Sequence, residues 1–226
     1  MVDDLLTIDE LRAKMRGAPG GKNFFARLSA KTFDRFVEVL HDDIDETVKL
    51  MEANPQRHNQ DGEDKLTFFI ASMLKQRHYR AELGIAKGGS LDLNVEGHEE
   101  DFVWTCEAKI FNSIPAVREG FLQLSERYRP ADIAKAKAGM LIYINRPDSS
   151  GLMATWMSEL QSMAIADLAL QPCTTRPKLA FFSQHTARHS GLPMHVRHMS
   201  VTLFQDPIDK SGLAAKKHKA ARVRTS

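Results

Sequence analysis

Asp92 and the triplet Glu107-Ala108-Lys109 carry the residue types from which a hydrolytic metal centre can be built. Period two puts Val103, Thr105, Glu107 and Lys109 on one face of an extended segment, and Trp104, Cys106 and Ala108 on the other. Asp92 lies on the polar face of the extended segment before it. If the two segments pair, Asp92 and Glu107 converge with Lys109 beside them. Such a group on a half-buried surface is costly unless an ion or ligand balances it. Two carboxylates, a few waters and a phosphate oxygen are what Mg²⁺ prefers. The ion would neutralise charge on a phosphodiester and lower the pKa of a bound water, giving the nucleophile for in-line displacement. Lys109 would orient or help deprotonate that water, or balance charge in the transition state. Glu63, on the inward face of an earlier helix, could reach the ion through a water.

The elements that must hold these groups are legible as periodicities. A short helix is expected over Ile8 to Met15, followed by a flexible joint at Gly17-Ala18-Pro19-Gly20-Gly21. Phe33, Phe36, Val37, Leu40, Ile44, Val48 and Met51 recur at spacings of three and four, a helix stopped by Asn54-Pro55. Asp61 is the expected cap of the next helix, whose stripe is Leu66, Phe69, Ile70, Met73 and Leu74. Glu63 falls on that inward face. Alternation over Ser90–Glu96, with Leu91, Leu93 and Val95 on one side, and the aromatic and β-branched run Phe102–Ile110 predict an antiparallel hairpin. Ser113 and Pro115 open a helix with Val117, Phe121, Leu124 and Tyr128 as its stripe. The apolar run Ala138–Ile144 suits an interior strand. A helix from Leu152 to about Ala164 and strands over Lys178–Phe182 and Arg197–Phe204 follow. This order predicts an α/β fold of three αβα layers around a central mixed β-sheet.

The acids, the lysine and the order of elements resemble the PD-(D/E)XK nuclease superfamily, the restriction endonuclease-like fold, over roughly Asp61 to Ile144. The motif reads as Asp92, then Glu107-Ala108-Lys109 fifteen residues on, with Glu63 upstream. Leu91 stands where the motif's proline would be. The resemblance implies a restriction endonuclease-like sheet, and a metal-dependent endonuclease acting on DNA with Mg²⁺, or Mn²⁺, as cofactor. It implies Asp92, Glu107, Glu63 and the Ala108 carbonyl around the metal, and Lys109 as the residue assisting the attacking water. Some members add a Gln and a Tyr on the following helix, here Gln123 and Tyr128, five apart rather than four; Arg127 and its neighbours Arg118 and Arg129 could contact phosphate. The family often dimerises and serves restriction, repair or defence against foreign DNA, so DNA, a homodimer or higher homo-oligomer, and a regulatory partner or ligand are the expected partners.

Composition bounds the rest. The 226 residues carry 31 Lys and Arg against 29 Asp and Glu, and a net charge of +2 is too small for bulk attraction to nucleic acid. Two cysteines form no disulfide framework, and no apolar run nears the ~20 residues of a spanning helix, so a cytoplasmic protein without membrane association is expected. The expected division is an N-terminal helical segment (1–55), a nuclease domain (56–207) and a basic, disordered tail (208–226). Cys106, Trp104 and Trp156 read as core. His185, His189, His195 and His198 lack a completing Cys or Glu for zinc and read as substrate contacts or surface. The competing reading is a nucleic-acid-binding or scaffolding subunit that keeps the fold and cleaves nothing alone.

Overall fold

The computed structural model describes residues 6–18, 21, 23–84, 91–98, 101–127 and 136–208. Tyr128, Arg129 and the tail from residue 209 lie outside them. Thr7 caps Ile8–Gly17 (α1) in a reciprocal box with Glu10. The expected joint lies partly outside the described residues, and beyond it the chain forms the short helix Phe24–Leu28 (α2). In Phe33–Glu52 (α3) the Thr32 hydroxyl accepts from Arg35 N, and the whole predicted stripe is buried. Glu63–Gln76 (α4) starts from Gly62, not Asp61. Asp61 sits one residue too early to cap, and its carboxylate takes Lys65, one turn on, at 2.8 Å. The other helices are Ile114–Arg127 (α5), where Ala116 N donates to Ser113, and Ser149–Ser162 (α6), capped by Asp148.

The strands are Arg80–Leu83 (β1), Leu93–Glu96 (β2), Val103–Ile110 (β3), Lys137–Ile144 (β4), Ala169–Pro172 (β5), Ala180–Ala187 (β6) and Leu192–Thr202 (β7). They form one seven-stranded sheet in the order β1-β2-β3-β4-β7-β6-β5. The pairs β3–β4 and β4–β7 are parallel and the other four antiparallel, so the sheet is mixed. The fold is therefore α/β, a seven-stranded mixed sheet flanked by helices. Alternation along β4 divides the core: Leu141 and Tyr143 join the cluster of α3 and α4, while Met140, Ile142 and Ile144 join that of α5 and α6. Both faces are covered, which is why β4 carries no charge from Ala138 onward.

Three expectations change. The strand read over Ser90–Glu96 begins only at Leu93, because the chain bends at Asp92 and Leu91 enters the α5/α6 core while Leu93 and Val95 face α3 and α4. The last two strands run to Ala187 and from Leu192, a hairpin whose tip the polar sequence Arg188–Gly191 conceals. His185 and His198 consequently lie buried inside the sheet rather than at the surface. The His198 ring is stacked on Phe181, accepts from Trp156 Nε1 and meets Ser183 Oγ at 2.9 Å. Since the indole can only donate, Nδ1 of that ring is bare and Nε2 carries the proton.

Candidate active site

The paired register of β2 and β3 ends at Leu93 opposite Cys106, and one further step sets Asp92 opposite Glu107. At the bend Asp92 turns its carboxylate onto β3, where Oδ2 accepts from Ala108 N at 2.8 Å. Glu63, the first residue of α4, accepts from Ile110 N at 2.9 Å. Backbone groups alternate in direction along a strand, and Phe111 N reaches across to Tyr143 O on β4. The N–H groups of Ala108 and Ile110 therefore point to the side that β2 would occupy if it were longer. Two carboxylates complete the ladder there. Thr67 steadies α4 above them, bonding back to Glu63 O at 2.9 Å and to the Tyr143 hydroxyl at 3.0 Å.

Lys109 is the hub. Its Nζ lies 2.9 Å from Glu107 Oε1, 3.3 Å from Glu63 Oε1 and 3.7 Å from Asp92 Oδ2. Among these four side chains negative charge exceeds positive by two. Glu107 is 1% exposed, whereas Asp92 and Glu63 keep about a third of their side chains in solvent, so the cluster opens on that side. Burial works against the charge on Lys109, but the hydrogen bond and field of Glu107, with Asp92 and Glu63, outweigh it and hold the ammonium above the usual lysine range. Lys109 is thus a cation and donor. Its stem lies against Gly120 of α5, where any Cβ would fall 2.6 Å from Lys109 Cγ.

Glu63, Asp92, Glu107, Ala108 and Lys109 are thus brought together. Gln123 is half-buried on α5, about one turn beyond Gly120, and makes no hydrogen bond to them. Arg127 closes α5, and Tyr128 lies outside the described residues. Arg118 pairs with Glu159 of α6 at 3.2 Å, away from the cluster. Cys106 is fully buried on the opposite face, its thiol pushed well up by burial and by Asp92, unsuited to nucleophilic work.

The donor set is all oxygen: the Asp92 and Glu107 carboxylates and the Ala108 carbonyl, which by the same alternation faces the Asp92 side. That chemistry fits a hard ion taking one or two carboxylates plus waters, as Mg²⁺ does. Among the described residues, no group of three or more His, Cys, Asp or Glu is arranged to hold a metal. Glu63 has one oxygen on Lys109 and the other on Ile110 N–H, which sets it as the support of the lysine.

Sequence reasoning passed over Gly120. A glycine inside a helical stripe costs about 1 kcal/mol relative to alanine, and that penalty was the available sign that something needs the space. No family model, no curated protein and no solved structure matches this chain.

Proposed function

We propose that this chain is a Mg²⁺-dependent nuclease, also able to use Mn²⁺, that hydrolyses phosphodiester bonds in DNA with a PD-(D/E)XK arrangement. The observation that carries the reading is the meeting of Lys109 Nζ with three carboxylates, from α4, from the bend before β2 and from β3, all within 4 Å. An ion held by Asp92 and Glu107 supplies Lewis acidity and a water of lowered pKa. The Ala108 N–H fixes the Asp92 carboxylate, and burial of Glu107 lowers the local dielectric, which strengthens its pull on a cation. Glu63 and Glu107 grip the Lys109 ammonium from two sides, so its N–H donors are aimed before substrate arrives. They offset the charge that develops on the phosphoryl oxygens.

The test is supercoiled plasmid, linear duplex and single strands incubated with Mg²⁺, Mn²⁺ or chelator, comparing wild type with Lys109→Ala. The expected result is metal-dependent cleavage by the wild type and none by the folded variant. Equal cleavage by both, or cleavage in chelator, overturns the reading. One observation favours a second reading, a DNA-binding subunit that does not cut: Lys109 already sits as the counter-ion of the acids. DNA binding in chelator, with no nicking when either metal is restored, would establish that reading instead.

A further inference from the structure

β3 and β4 run parallel and end on the same edge of the sheet, with Lys109 beside Ile142 and Ile110 beside Tyr143. The next steps along that edge bring Phe111 and Arg146 together. Phe111 N donates to Tyr143 O at 2.8 Å, which fixes the residue against β4. Its side chain follows Lys109 on the same face, about 6.6 Å further on at ~3.3 Å per residue, and is buried in the core of α5 and α6. Arg146, two residues past the end of β4, is exposed. Its guanidinium lies over the Phe111 ring, 5.6 Å from the centroid.

Other arginines are committed to carboxylates: Arg27 to Asp43, Arg77 to Glu46, Arg118 to Glu159, Arg176 to Glu52 and Arg197 to Asp45. Arg146 makes neither an ion pair nor a hydrogen bond among the described residues, and its contact is the ring. The acid nearest in sequence, Asp148, accepts from Gly151 N and Ser150 Oγ instead. An arginine held by an aromatic face keeps its fork of N–H donors open, and that fork takes a phosphate through two hydrogen bonds.

Charge says why such a group is needed there. Glu63, Asp92 and Glu107 carry three negative charges against the one of Lys109, so a single divalent ion brings the cluster only to neutrality. A phosphodiester arriving with its own negative charge meets no net attraction from it. The whole chain, at +2, adds little. The missing cation must stand beside the cluster, and Arg146 stands there.

We propose that Arg146, steadied by Phe111, binds a backbone phosphate of the DNA next to the one being cleaved, and so lays the strand across Lys109. The inference rests on the nuclease reading of the cluster and adds a substrate-binding residue to it. A phosphate contact carries no base information, so it serves every sequence alike.

The experiment follows a fluorescently labelled duplex binding to the full chain by anisotropy, in chelator, between about 50 and 200 mM salt, and separately scores nicking of supercoiled plasmid with Mg²⁺. Arg146→Ala, on an exposed loop, should weaken binding about tenfold, equally for duplexes of different sequence. The plot of log affinity against log salt should become shallower by about 0.9, the share of one phosphate. In the nicking assay KM should rise by a similar factor with kcat nearly unchanged. Arg146→Lys keeps the charge without the flat fork, so the salt slope should return and the affinity recover only in part. Arg35→Ala, on α3 across the sheet and held by Glu38, should change neither. The proposal is overturned if Arg146→Ala keeps wild-type affinity and slope, if Arg35→Ala weakens binding as much, or if the wild type binds no duplex in chelator. Nicking by the wild type in any of those cases leaves the nuclease reading standing; no binding together with no nicking removes both.

Discussion

Replacing Gly120 with alanine asks whether the placement of the Lys109 ammonium matters. The added methyl would lie 2.6 Å from Lys109 Cγ, 3.0 Å from Cε and 3.2 Å from Cδ, where carbon atoms need about 3.5–4.0 Å. Cγ sits close to the β3 backbone, so turning only the far end of the side chain cannot relieve the contact. The whole stem must change rotamer, and Nζ leaves its place 2.9 Å from Glu107. Alanine gains about 1 kcal/mol of helix propensity, and overpacking costs about 1–3 kcal/mol. The net loss is about 0–2 kcal/mol, a fall in Tm of no more than about 8 °C for a chain of this size. Misplacing a positioned group by about 1 Å costs about a hundredfold in rate. The expected variant is folded, nearly as stable as wild type, and about a hundredfold slower on supercoiled plasmid with Mg²⁺, as read by melting curves and nicking rates. A folded Gly120→Ala that cuts at the wild-type rate would refute the reasoning.

Two further predictions concern the scaffold. Asp43 is fully buried and accepts from Arg27 at 3.0 Å, Tyr79 at 2.8 Å and Asn23 at 3.2 Å, joining α2 and β1's approach to α3. Asp43→Ala withdraws that carboxylate from buried Arg27 and should cost about 3–5 kcal/mol, which scanning calorimetry would show as a Tm lowered by about 6–20 °C; a loss below about 1 kcal/mol would mean the network is not what anchors α2. Burial, then the field of His185, holds the pKa of His198 down to about 3, and burial, then His195, holds His185 at about 4. Both rings fold neutral, so their contribution is complete above the unfolded value of about 6.5 and is lost as pH falls towards 4 and then 3, at about 1.4 kcal/mol per pH unit for each ring. Urea unfolding between pH 7 and pH 5 should show that slope, and His185→Phe should flatten it by one ring's share; an unchanged slope would contradict the assignment.

Where a residue's partner lies nearby in the chain or its pattern is regular, the sequence was enough. The α3 stripe, the hairpin of β2 and β3, the interior strand β4 and the grouping of Glu63, Asp92, Glu107 and Lys109 all follow from spacing. What failed depended on distant chain. β1 and β5 are four-residue edge strands whose pairing, not their composition, makes them strands. The bend at Asp92 breaks an alternation that looks continuous from Leu91 to Val95, because Leu91 has a better-packed place in the other core layer. His185 and His198 read as substrate contacts or surface residues, since only β6, β7, α5 and α6 together make a dry enclosure for an imidazole. Gly120 mattered for a lysine eleven residues earlier, a pairing no local pattern records.

The carboxylates of Asp92 and Glu63 stand in for a strand that is not there. By occupying the donors of Ala108 and Ile110 they bar that stretch of β3 from recruiting an extended segment of another molecule, so the very groups offered to a cation also guard against β-augmentation. A practical warning follows for mutagenesis. Truncating Asp92 to alanine would strip both the charge and the amide's acceptor, and lost cleavage could then be lost architecture; asparagine, which keeps an oxygen for Ala108 N–H, separates the two.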